Sequence, residues 1–178
     1  NGSVSEDWNT AANWTTSLGG SAPPAITDIV DLGTATFLNN PTISNAVTVK
    51  NINFGSVQAV TLSMATGGSL VTGDIQGNWS TNRTHTLNIN NQTVNINGDL
   101  SLSDGTNNNI INLNIGTGNL AITGDLNQSG NAAINFSGAG NLSIGADFHY
   151  INGTFNAGSG TVTYNGLLNQ IAGPVTYY

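Results

Sequence analysis

The sequence predicts an all-β chain wound as a single-stranded parallel β-helix, a β-solenoid of about 22–26 residues per coil with an atypical N-terminal cap. Two patterns within the 178 residues predict it. Apolar residues alternate with Asn and Thr over short runs, and one segment with Asp at its corner recurs four times. A third observation, the near absence of charge, limits the roles open to such a coil.

The alternation is clearest in Leu87-Asn88-Ile89-Asn90, Val94-Asn95-Ile96-Asn97 and Ile111-Asn112-Leu113-Asn114-Ile115. A period of two puts the apolar side chains on one face and Asn on the other, which marks half-buried strands. Gly or Asn interrupts every stretch with helical spacing, so almost no helix is expected.

The recurrence runs through Leu70-Val71-Thr72-Gly73-Asp74-Ile75, Val94-Asn95-Ile96-Asn97-Gly98-Asp99-Leu100, Leu120-Ala121-Ile122-Thr123-Gly124-Asp125-Leu126 and Leu142-Ser143-Ile144-Gly145-Ala146-Asp147-Phe148. Asp74, Asp99, Asp125 and Asp147 follow one another at intervals of 25, 26 and 22 residues. A second strand recurs as Leu87/Ile89, Leu113/Ile115, Ile134/Phe136 and Val162/Tyr164. One such unit holds about three short strands and three turns, one coil of a solenoid. Coils stacked about 4.8 Å apart align the apolar residues in inner columns and Asn and Thr in outer ladders. Side-chain amides in register hydrogen-bond along the axis. That explains why Asn, depleted in ordinary strands, fills 29 positions. An antiparallel sandwich or barrel is the competing architecture, with hairpins at Asn97-Gly98, Asn152-Gly153 and Asn165-Gly166. The regular spacing favours the solenoid.

The first residues break the pattern, with Trp8 and Trp14, Pro23-Pro24, and Asp28-Ile29-Val30-Asp31-Leu32. A solenoid needs an atypical terminal unit over its apolar end. Residues 1–45 therefore read as an N-terminal cap with the first strands, and 46–178 as the repeats of one continuous domain.

Lys50 and Arg83 face nine acidic residues, for a net charge of −7. Nucleic acid and anionic membrane surfaces both require more basic residues than this. No apolar run approaches the roughly 20 residues of a membrane span. Without Cys, disulfides and thiolate metal sites are excluded. A cysteine-free, lysine-poor, Asn-rich chain points outside a bacterial cell. The lack of an initiator Met and of a secretory leader suggests a start after a processed or trimmed end.

Candidate chemistry is sparse. Asp74, Asp99, Asp125 and Asp147 read as corner residues that accept backbone N–H groups. A calcium column is the alternative, but calcium repeats supply several acids per turn. No cofactor is expected. Asp104-Gly105-Thr106-Asn107-Asn108-Asn109 lacks the closing Glu of a calcium loop and reads as a solvent-facing turn. His85 and His149 are expected in turns or on the surface. Lys50 reads as a solvated charge. A glycosidase needs two carboxylates about 5–10 Å apart across a cleft, and no such pair is evident. No enzyme is expected. Trp79, Tyr150, Tyr164, Tyr177 and Tyr178 could stack on sugars but read first as core and end residues.

Trp8 with Trp14, Pro23-Pro24, Asp28-Ile29-Val30 and Val49-Lys50-Asn51-Ile52-Asn53-Phe54-Gly55 resemble the start of bacterial autotransporter-associated β-strand repeat proteins. Gly160-Thr161-Val162-Thr163-Tyr164-Asn165-Gly166, with Gln170-Ile171-Ala172-Gly173 and Val175-Thr176-Tyr177-Tyr178, resembles a unit of large secreted adhesin-like surface proteins. The resemblance implies a cell-surface β-solenoid and carries no catalytic residue across.

The last four residues look strand-like and apolar, leaving a final turn whose backbone another chain could satisfy. Head-to-tail contacts that do not close give a filament. The expected partner is therefore a copy of the same chain, with Trp8, Trp14, Val175, Tyr177 and Tyr178 at the interface. The expected role is a filament subunit or adhesin stalk. A module binding glycan, or less favourably ice, through its Thr and Asn ladders is the alternative.

Overall fold

The computed structural model describes residues 4–17 and 19–177. Its strands are all paired in parallel, in three six-stranded sheets, and the one helical element among the described residues is a short 3-10 turn, Ala11–Asn13. The chain visits the three sheets in rotation. The first coil is β1 (Ile29–Leu32), β2 (Thr42–Ile43) and β3 (Ala46–Thr48), and the second β4 (Asn51–Phe54), β5 (Thr61–Met64) and β6 (Ser69–Thr72). The third is β7 (Ile75–Gly77), β8 (Arg83–Asn90) and β9 (Thr93–Ile96), and the fourth β10 (Leu100–Ser101), β11 (Asn109–Ile115) and β12 (Asn119–Ile122). The fifth is β13 (Leu126–Gln128), β14 (Ala133–Phe136) and β15 (Asn141–Ile144), and the sixth β16 (Phe148–Tyr150), β17 (Thr154–Asn156) and β18 (Thr161–Tyr164). The β-solenoid expectation holds. Of the Asn-Gly pairs, Asn97-Gly98 and Asn152-Gly153 are corners between parallel-sheet strands, and Asn165-Gly166 follows β18.

Register converts the alternation into columns. In the first sheet Val30, Ile52, Ile75, Leu100, Leu126 and Phe148 are successive partners, all buried. Leu62, Leu87, Leu113 and Ile134 do the same in the second sheet, and Leu70, Val94, Leu120 and Leu142 in the third. Burying such a side chain contributes about 1.5–3 kcal/mol, so each coil is stabilised mainly by the coils above and below it.

Outside, the amides form the expected ladder. The Nδ2 of Asn114 donates to Asn88 Oδ1 at 2.9 Å, Asn135 to Asn114 at 3.2 Å, and Asn156 to Asn135 at 2.6 Å. Asn also serves at a corner. Asn90 has φ 56°, a left-handed conformation Asn tolerates better than most residues, and its Nδ2 donates to Met64 O.

At the N-terminal end β1 and β2, within residues 1–45, pair with β4 and β5. The C-terminal expectation needs correction. The C-terminal end is not an open turn. The chain begins a seventh coil, with Ile171 O accepting from Phe148 N at 2.9 Å and Ile171 N donating to Asp147 Oδ1 at 2.8 Å. It then leaves the sheet at Gly173-Pro174. Proline has no N–H to extend a ladder, and Gly173 lies against the Phe148 ring, where a Cβ would come within 2.5 Å. The segment folds back instead. Val175 packs on the core, and the Tyr177 ring meets Phe155 at 5.6 Å and Tyr164 at 6.4 Å.

Candidate functional site

The recurring corner is the most regular polar feature of the molecule. Asp74 Oδ1 accepts the backbone N–H of Asp99 at 3.0 Å, Asp99 Oδ1 that of Asp125 at 2.8 Å, and Asp125 Oδ1 that of Asp147 at 2.9 Å. Asn51 Oδ1 starts the series by accepting from Asp74 N at 3.1 Å, and Asp147 ends it on Ile171 N. Each carboxylate thus satisfies a donor one coil further on. Gly98 and Gly124 make room for this: a Cβ at Gly124 would lie 2.1 Å from Asp99 Oδ1.

One oxygen of each carboxylate is committed to backbone. At the C-terminal end of the column the second oxygens meet an imidazole. His149 Nε2 lies 3.4 Å from Asp125 Oδ2 and 4.0 Å from Asp147 Oδ2. One ligand atom from each of the three residues falls within 4.8 Å of the others, in a half-exposed group. His149 is on β16 rather than in a turn. Asp147 immediately precedes β16, two residues before His149, and Asp125 stands one coil below. That i, i+2 spacing plus one repeat length was present in the sequence and could have revealed the trio.

His85 was expected in a turn or at the surface; it is fully buried on β8. Its ring lies 5.1 Å from Phe54 and 5.3 Å from Trp79. Its Nδ1 accepts the Val60 N–H at 3.1 Å. Burial lowers its pKa from 6.5 to about 4, opposed by a backbone hydrogen bond with Gly55 and aided by the nearby Arg83 charge. The side chain is a neutral wall of the core.

The expected interface residues are mostly turned inward. Trp8 is 1% exposed and sits edge-on to the half-buried Trp14 at 4.6 Å, whose Nε1 donates to Trp8 O at 2.7 Å. Together they close the N-terminal end of the core. Val175 is half-buried, and Tyr177 shares a 2.6 Å hydroxyl contact with Tyr164 and donates to Gly173 O at 3.1 Å. Burial raises the Tyr177 pKa. Tyr178 lies outside the described residues. Trp79, Tyr150 and Tyr164 pack against the core. Asp104 Oδ1 and Oδ2 accept from Thr106 N and Asn109 Nδ2, both at 2.8 Å, closing its own turn. Desolvation raises its pKa, but these hydrogen bonds outweigh it and the net shift is downward.

A cleft of about 910 Å³ opens at the N-terminal end, among Trp14, Phe37, Asp31, Asn53 and Lys50. No described helix is long and apolar enough to cross a membrane. The fold and its corners define a β-solenoid rod with polar ladders along its sides. Comparison with protein-family models, curated proteins and solved structures returned no match.

Proposed function

We propose that this chain is an extracellular structural module, a stiff rod joined end to end as a filament subunit or adhesin stalk. The observation that carries the reading is the condition of the sheet ends. The first sheet is continued at its C-terminal end by Ile171, and the second is met at its N-terminal end by Asp7, which bridges Thr42. The third sheet runs from β3 to β18, and among the described residues no strand lies along the outer side of either. A free parallel edge recruits another strand, and edges at opposite ends of one sheet suit a head-to-tail contact that propagates. Contact through β18 and β3 leaves both aromatic caps in place, so the joint is backbone pairing along one sheet and not a stacking of open cores. The resemblance to secreted repeat proteins points the same way.

Light scattering and electron microscopy at rising concentration test this. Concentration-dependent rods are expected, and Thr161→Lys with Thr163→Lys, both exposed on β18, should abolish them without altering thermal stability. Monomers at every concentration would overturn assembly.

The N-terminal cleft favours a second reading, glycan binding, in which Trp14 and Phe37 supply ring faces and Asp31, Asn53 and Lys50 supply hydrogen bonds. A glycan array on the native chain and on Trp14→Ala tests it. An array without hits removes it.

A further inference from the structure

We propose that Asp125, Asp147 and His149 form a binding site for a first-row divalent metal ion of zinc-like preference, clamping the fifth coil to the sixth. The donor set is mixed. Two carboxylate oxygens and one imidazole nitrogen converge from two coils, with Nε2 3.4 Å from Asp125 Oδ2 and 4.0 Å from Asp147 Oδ2. Both distances exceed the roughly 2.7–2.9 Å of a charge-assisted hydrogen bond. They fit ligands around an ion instead. Zinc–nitrogen and zinc–oxygen bonds of about 2.0–2.1 Å at tetrahedral angles separate ligand atoms by about 3.3–3.4 Å. The first distance already matches, and the second closes with a small rotation of a half-exposed side chain.

Second-layer contacts hold the carboxylates in place. Asp125 Oδ1 is tied to Asp147 N and Asp147 Oδ1 to Ile171 N, which leaves each Oδ2 free while fixing its plane. Ligands oriented through such outer partners bind metal more tightly than free ones. Charge favours a cation here as well. The column continues through Asp99 and Asp74, and the two basic residues lie elsewhere: Arg83 donates to Val57 O and Asn82 O, and Lys50 stands at the N-terminal cleft. The imidazole decides the class of ion, because nitrogen ligands select zinc-like metals over calcium and magnesium, which prefer oxygen alone. Since Asp147 also holds Ile171, an ion at this place braces the C-terminal segment as well as two coils.

Titration calorimetry of the chelator-treated full chain with zinc chloride, with thermal melts in parallel, tests the site. The expected result is one ion per chain and a rise in Tm that grows with zinc concentration. His149→Gln should weaken zinc binding by at least tenfold and remove the rise in Tm. Asp125→Asn should weaken binding while keeping the corner acceptor. The proposal is overturned if no zinc binds below millimolar concentration, or if His149→Gln binds as tightly as the native chain. It is equally overturned if calcium displaces zinc at comparable concentration, which would mark an adventitious acidic column.

Discussion

Replacing His85 with Phe separates the cost of a buried imidazole from the rest of the acid response. In the native chain the group titrates at about 4, against 6.5 for an ordinary histidine. The folded pKa lies below the unfolded one, so the unfolded chain takes up the proton first. Well above pH 6.5 the group is neutral in both states and has no effect on the balance. As pH falls from 6.5 toward 4, stability drains away. At 1.36 kcal/mol per unit the loss amounts to about 3 kcal/mol by pH 4. His85→Phe also removes the acceptor for Val60 N–H, a cost of about 1–3 kcal/mol that does not depend on pH. Urea unfolding of both proteins at intervals from pH 7.5 to 4 gives the difference curve. It should flatten about one unit above pH 6.5 and swing by about 3 kcal/mol toward the variant as pH falls to 4. Parallel pH profiles would refute the buried, unprotonated imidazole.

Other residues give independent checks. Asp99→Asn keeps an acceptor for Asp125 N–H and removes a like charge, so it should match or exceed native stability at pH 7, whereas Asp99→Ala should cost about 1–2 kcal/mol; thermal melts separate a corner acceptor from an electrostatic role. Asn114→Ala interrupts the outer ladder between Asn88 and Asn135 and should cost about 1–2 kcal/mol by urea unfolding. Leu113→Ala, fully buried between Leu87 and Ile134, should cost about 2–5 kcal/mol in the same assay. Gly124→Ala forces a methyl group onto Asp99 Oδ1 and Gly98 O and should lower Tm, with Asp99→Gly relieving only the side-chain part.

Much of the architecture was legible in the chain because a solenoid writes its contacts as short-range repetition. Alternation told which face of Leu87–Asn90 or Ile111–Ile115 would be buried, since the period of a strand is two whatever lies beyond it. The spacing of Asp74, Asp99, Asp125 and Asp147 gave the coil length, because a residue one coil away is a neighbour along the axis. Register was the harder quantity, and with it went the cluster at the C-terminal corner. That Asp125 meets His149 depends on two coils of unequal length arriving in phase. His85 was misplaced for a related reason. Its imidazole is a polar ring on a strand face that reads ambiguously until Phe54 and Trp79 are known to flank it.

By itself the sequence determined the strand periodicity, the repeat and the polar exterior, all of which follow from local backbone geometry and from the need to bury apolar side chains. Only the tertiary structure decided what happens at the ends. Whether Val175 and Tyr177 extend a strand or fold over Phe155 depends on the Phe148 ring beside Gly173 and on Pro174, which cannot donate to a further ladder. Among the described residues these positions have a neighbouring coil on one side alone, so the repeat that specifies the interior positions does not reach them.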